Sequence, residues 1–82
     1  MSYYEHLKGK LNEKVTMSNS LIKDIQWIVN SLVKDELSLM DISRLEDDLE
    51  LACDELKDVM KEIVRYRLYI AFEEAGDSIE MP

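Results

Sequence analysis

The sequence predicts an all-α fold in which one long antiparallel helical hairpin self-associates into a helical bundle. Helix-breaking residues are scarce, because the 82-residue chain has two glycines and one proline, and this scarcity favours long helices over a turn-rich β fold. Apolar residues recur at helical spacing in both halves of the chain. A short polar segment at 34–38 separates the halves, and a short connection makes two long helices antiparallel neighbours. We expect a single helical domain over 1–82.

The first arm carries two helical signals. Ser2 and Glu5 have the spacing of a capping box, in which each side chain satisfies a free backbone N–H of the other, and a helix is expected over about 3–15. A second apolar stripe predicts a helix over about 20–34. Four of the five residues at 16–20 are threonine, serine or asparagine, which favour helix caps over helix interiors. The sequence leaves open whether the arm breaks near 16–20 or continues through it.

The second arm has the most regular pattern of the chain. Apolar residues over 42–70 alternate spacings of three and four, which is an unbroken heptad repeat. Gly76 suits the position just after a helix, so we expect one helix over about 40–75 and a loose tail at 77–82. A second pair with capping-box spacing marks the start of this helix: Ser38 and Asp41.

Self-association is expected from the apolar residues that the hairpin leaves outside its seam. A chain this short has a marginal core by itself. Helices that are apolar on more than one side are usually buried on more than one side. A two-fold homodimer that forms a four-helix bundle is the simplest assembly. The expected oligomer interface consists of Ile22, Val29, Val33, Met60, Val64, Leu68 and Phe72.

Charge indicates the kind of partner. The net charge is −8, and the imbalance lies in 41–82, which holds thirteen acidic and five basic side chains. Direct binding to nucleic acid or to an anionic membrane is disfavoured, because both require a basic footprint. A protein partner with a basic surface is the natural complement.

A row of carboxylates follows the outer side of the second helix, opposite the heptad. Such a row is typical of a solvated helix face, and it is also compatible with a docking surface for a basic protein. Tryptophan is a frequent anchor at protein interfaces, and an apolar island inside a polar rim is how many interfaces are built. The candidate partner-binding residues are Asp47, Glu50, Asp54, Asp58, Trp27 and Leu51.

Catalytic, metal and cofactor sites are not expected. Cys53 is the only cysteine, so no internal disulfide can form, and a reducing compartment fits. His6 is the only histidine and has no metal-ligand spacing around it. No apolar run approaches the roughly 18 residues of a membrane span, and no signal peptide is expected. We therefore expect a cytoplasmic, non-enzymatic protein.

Two short segments resemble known families. "DELKDV" at 54–59 resembles half of the E-x-x-D signature of the all-helical MazG-type nucleotide pyrophosphohydrolases, with Glu55 and Asp58 at the two motif positions. That family also uses an E-x-x-E pair on a preceding helix to bind a divalent cation, and this chain has none there. "IVNSLVKDELSL" at 28–39 resembles the connector of the small subunit of exodeoxyribonuclease VII, without its glycines. Neither resemblance assigns a functional residue.

Three functions remain open from the sequence. The leading hypothesis is a small acidic inhibitor or binding protein, of the kind found among phage or mobile-element anti-defence proteins and antitoxins. The second is an oligomeric sponge or sensor for a small ligand such as a nucleotide, with a pocket between subunits near Tyr66, Arg67 and Tyr69. The third is a purely structural assembly subunit.

Overall fold

The computed structural model describes residues 2–76 and confirms an all-α helical hairpin. Helix α1 spans Tyr3–Leu32 and helix α2 spans Leu39–Ala75, and the two pack against each other. No strand occurs within residues 2–76. The radius of gyration is 18.6 Å, against about 12 Å for a compact domain of this length. The shortest dimension is 14 Å, so the hairpin is a single layer of helices with both broad faces exposed.

Helix α1 begins at the predicted cap and runs without the break considered near 16–20. The Ser2 hydroxyl accepts a hydrogen bond of 3.1 Å from the Glu5 backbone N–H. One continuous helix therefore replaces the two expected over 3–15 and 20–34. The Ser18 hydroxyl donates a 2.7 Å hydrogen bond to the Val15 carbonyl. Because the helix's own backbone satisfies that hydroxyl, Ser18 can be buried without ending the helix.

The connector between the helices contains one strained residue. Val33 caps the end of α1. Glu36 has a φ of 65° and is the non-glycine residue with positive φ within 2–76. This left-handed region costs an L-residue about 1–2 kcal/mol, and glycine adopts it without that cost.

Replacing Glu36 with glycine is expected to raise the free energy of unfolding by up to about 1 kcal/mol, because the relief of strain exceeds the roughly 0.5–1 kcal/mol entropic cost of glycine. Asp35→Gly is the matched control, since Asp35 lacks the positive φ and should lose stability. Chemical denaturation followed by far-UV circular dichroism measures both. Equal destabilisation by the two variants would contradict the prediction.

Helix α2 begins with the predicted capping box. The Ser38 hydroxyl accepts a 3.0 Å hydrogen bond from the Asp41 N–H, and the Asp41 carboxylate accepts one of 3.3 Å from the Ser38 N–H. The helix ends at Gly76, whose φ of 57° favours glycine and whose N–H reaches the carbonyls of Phe72 and Glu73. The predicted loose tail at 77–82 lies outside the described residues.

The Ser38→Ala variant should lose about 1 kcal/mol of stability, because the Asp41 N–H at the start of α2 then loses its side-chain acceptor. Ser43→Ala, an exposed change inside the same helix, is the control and should be neutral or slightly stabilising. Thermal unfolding monitored by circular dichroism compares the two. The prediction would be wrong if Ser43→Ala lost stability and Ser38→Ala did not.

The core is a narrow seam between the two helices. The buried apolar residues are at most 9 % exposed, and the seam also buries two serines. Lys14 crosses the seam and pairs with Glu62 at 3.0 Å. The buried residues are Leu7, Ile28, Ala52, Val59, Ile70, Ser18 and Ser31.

The Lys14–Glu62 pair has a small electrostatic consequence. The hydrogen bond to Glu62, assisted by its charge, raises the pKa of Lys14 above 10.5, against the opposing effect of desolvation. A raised pKa contributes stability below the unfolded-state value and loses it as the pH rises through the folded-state value. The contribution is therefore fully present at neutral pH and disappears only in strong alkali.

Two broad faces flank the seam. At 3.6 residues per turn, residues just before the buried positions Ile28 and Ala52 lie on one side, which includes Trp27 and Leu51. We call this side the tryptophan face. Residues just after seam positions lie on the other side, which we call the valine face. The valine face consists of Val15, Ile22, Val29, Met60 and Val64.

Candidate functional site

An open groove lies between the two helices on the tryptophan face. Trp27 of α1 and Leu51 of α2 both line it, and each is 62 % exposed. The groove has a volume of about 350 Å³. The structure thus brings together the two apolar anchors that the sequence singled out. The remaining lining residues are Leu21, Asp24, Ile28, Asp48, Ala52 and Glu55.

The helices position both anchors through their buried neighbours. Ile28 is 5 % exposed and Ala52 is 9 % exposed, so each fixes the rotation of its helix about the seam. A residue that precedes a seam residue is rotated by about 100° from it and projects from the broad face of the hairpin. Because α1 and α2 are antiparallel, Trp27 and Leu51 line the same groove on the same face, beside the buried Ile28 and Ala52.

Three carboxylates surround this apolar surface. Asp24 lies one helical turn before Trp27, whereas Asp48 and Glu55 lie one turn to either side of Leu51. Within residues 2–76, none of these three carboxylates has an ion-pair partner. Their charges are therefore available to a cationic group that enters the groove. We call Asp24, Asp48 and Glu55 the acidic rim.

The acidic rim differs from the row expected from the sequence. Asp47, Glu50 and Asp54 are exposed, but they lie on the outer side of α2, away from α1, and do not line this groove. Asp58 lines an adjoining groove with Glu55. The spacing correctly placed the row away from the seam, but it gave no sign that neighbouring acids would flank Leu51. The sequence does contain a signal for the acidic rim, because each of its acids lies three or four residues from Trp27 or Leu51 and therefore on the same side of the helix.

Trp27 also borders a second groove toward the closed end of the hairpin. That groove includes Lys34, Arg44 and Asp41. The indole therefore stands between an acidic groove and one of mixed charge. A partner that covers Trp27 would meet the acidic rim on one side and these basic side chains on the other.

Within a single chain, the side chains proposed for a small-ligand pocket lie on different sides of α2. The Tyr66 and Tyr69 rings make an edge-to-face contact with centroids 6.3 Å apart. Arg67 instead pairs with Glu74 at 3.4 Å, on the side of α2 opposite Tyr69. One chain alone therefore does not build a cationic, aromatic pocket from these three residues.

The apolar residues expected at an oligomer interface also divide between surfaces. Ile22, Val29, Met60 and Val64 lie together on the valine face, and Val33 continues it at the end of α1. All five are exposed. The other two lie elsewhere: Leu68 on the outer side of α2, and Phe72 on the side of the tryptophan face.

Residues 2–76 contain no cluster of three histidine, cysteine or acidic side chains that could hold a metal ion. Cys53 is a free, exposed thiol. Neither α1 nor α2 is long and apolar enough to cross a membrane.

Comparisons with known proteins give no family for this chain. No protein-family model matches it, and no match was found among the curated proteins or the solved structures.

Proposed function

We propose that this protein is a non-enzymatic binding protein that docks on a basic surface of a partner protein through the groove of Trp27 and Leu51. The observation that supports this proposal is the placement of two exposed apolar side chains inside a rim of unpaired carboxylates. Interfaces typically combine such an apolar centre with a polar rim that excludes water.

The apolar centre supplies the affinity. Trp27 leaves on the order of 150 Å² in contact with water, and covering that area is worth up to about 4 kcal/mol at 25 cal/mol per Å². Leu51 adds a smaller amount on the opposite wall of the groove. This gain is sufficient to make Trp27 an energetic hot spot of the kind seen in stable complexes.

The acidic rim selects the partner. An arginine entering the groove can stack its guanidinium on the indole of Trp27 and reach a carboxylate of Asp24, Asp48 or Glu55 with two parallel hydrogen bonds. Lysine can satisfy the charge but not the paired geometry. We therefore infer that the partner presents arginine beside an apolar residue on a protruding helix or loop.

Inhibition is the biological role that this chemistry supports best. A surface with clustered exposed arginine is typical of proteins that bind nucleic acid, and an acidic protein bound to it would exclude the nucleic acid. Small size and a net charge of −8 fit such an inhibitor. On this basis we propose a cytoplasmic role resembling that of phage or mobile-element anti-defence proteins and antitoxins.

The test compares two sets of charge-neutralised variants. The first combines Asp24→Asn, Asp48→Asn and Glu55→Gln in the acidic rim. The matched control combines Asp47→Asn, Glu50→Gln and Asp54→Asn on the outer side of α2, which removes the same charge. Each immobilised protein is used to capture partners from a lysate of the source organism, with quantitative mass spectrometry.

The proposal predicts that one basic protein is retained by the wild type and by the outer variant but lost with the rim variant. Its affinity for the purified wild type should also fall as salt is raised. Equal retention by all three proteins would rule out the groove as the docking surface. Loss with both variants would assign binding to net charge instead of to the groove.

A further inference from the structure

The valine face is an exposed apolar surface that the docking function does not use. Val15, Ile22 and Val29 of α1 are 38–47 % exposed, and Met60 and Val64 of α2 are 54 % and 60 % exposed. Together they present an apolar area on the order of 500 Å², at the upper end of what a soluble monomer exposes. The face lies on the side of the hairpin opposite Trp27.

Because the hairpin is a single layer of helices, we expect a second layer to cover this face. The molecule is 14 Å thick, so no third element of residues 2–76 packs over the seam. A pair of helices in one layer buries little apolar surface, and helical folds normally complete their core with a second layer. A second copy of the hairpin supplies a layer of equal length and matching apolar pattern.

Charge along the valine face indicates how two copies would be oriented. Glu46 lies beside it near the closed end of the hairpin, where the connector joins the helices. Lys8 and Arg67 lie beside it near the open end, where Lys8 sits 5.2 Å from the centre of the Tyr4 ring. The closed end is thus acidic and the open end basic, whereas Lys57 lies beside Met60 and Val64 midway along the face.

Acidic groups at the open end do not cancel this asymmetry. Glu74 accepts a hydrogen bond of 3.1 Å from the Tyr4 hydroxyl and pairs with Arg67 at 3.4 Å. Its charge therefore helps to hold Arg67 in place. Glu5 lies further out, in the first turn of α1.

We propose that two copies of this chain pack valine face to valine face in a head-to-tail two-fold dimer. This arrangement places Arg67 on α2 of one copy over Glu46 on α2 of the other, twice by symmetry. The alternative, with like ends together, sets basic groups against basic groups. A head-to-tail stack buries on the order of 800 Å² per copy, which is the standard size of a stable interface.

The dimer leaves both tryptophan faces on the outside, pointing in opposite directions. If the proposed docking function holds, one dimer can bind two partner molecules at once. This consequence rests on that function, whereas the dimer itself does not, because the valine face shares no residue with the groove.

Pulsed electron paramagnetic resonance distinguishes the two orientations. In a Cys53→Ser background, Asp35→Cys places one spin label at the closed end of each hairpin. A head-to-tail dimer separates the two labels by on the order of 45 Å, the length of about 30 helical residues. Labels closer than about 20 Å, or the absence of any dipolar coupling, would overturn the proposal.

Sedimentation equilibrium of charge-insertion variants tests the face itself. Ile22→Glu combined with Met60→Glu buries two unpaired charges per copy and should weaken dimerisation at least about 100-fold. Leu68→Glu makes a similar change on the outer side of α2 and should leave dimerisation within about threefold. Circular dichroism verifies that each variant is helical. A helical double variant that dimerises like the wild type would refute the valine face as the interface.

Discussion

Replacing Trp27 with alanine is expected to weaken binding to the basic partner by about 100-fold, equivalent to about 3 kcal/mol. The loss arises because the partner's apolar and guanidinium groups would leave water without gaining the indole as a contact. The helices should be little affected, since the Trp27 side chain is 62 % exposed in the free protein. Isothermal titration calorimetry with the captured partner measures the change.

Phe72→Ala is the matched control for this variant. Phe72 is an exposed aromatic residue, 52 % accessible, but it lies near the open end of α2 and does not line the groove. Its removal should change the affinity by less than about threefold. The groove is the wrong site if Phe72→Ala weakens binding as much as Trp27→Ala does.

Truncation of Leu7 should have the largest effect on stability. Leu7 is 2 % exposed, the largest fully buried side chain among residues 2–76, and Leu7→Ala leaves a cavity that costs about 2–5 kcal/mol. Stability of a small domain is only about 5 kcal/mol or somewhat more. A large fraction of the variant should therefore be unfolded at physiological temperature.

The same substitution at Leu68 provides the control. Leu68 is 52 % exposed, so Leu68→Ala should cost less than about 1 kcal/mol. Urea denaturation of both variants, followed by far-UV circular dichroism, compares the free energies of unfolding. Comparable losses at Leu7 and Leu68 would mean that the seam is not the principal core.

The hairpin was predictable because periodicity reports which side of a helix is buried. The heptad of the second arm and the capping box of Ser38 and Asp41 both appear in the structure as expected. The placement of Trp27 and Leu51 along one groove follows from antiparallel pairing. These features depend on local spacing and on one short connector, and a single sequence contains both.

Other features depend on information that periodicity does not contain. The preference of Ser18 and its neighbours for caps is weak, and packing against α2 together with the bond to the Val15 carbonyl outweighs it. The acidic rim includes Asp24, which comes from the opposite helix to Asp48 and Glu55. Which acids border the groove depends on the rotation of both helices about the seam, and an acidic run on α2 alone cannot specify it.

Docking of a basic protein over Trp27 is the central claim, and the fluorescence of Trp27 tests it most directly. Trp27 is the only tryptophan in the chain, so its emission reports on the groove alone when a tryptophan-free form of the captured partner is titrated in. We predict that the emission moves to shorter wavelength and becomes protected from acrylamide quenching, with the same midpoint as binding. Saturated binding with unchanged emission and quenching would contradict docking at the groove.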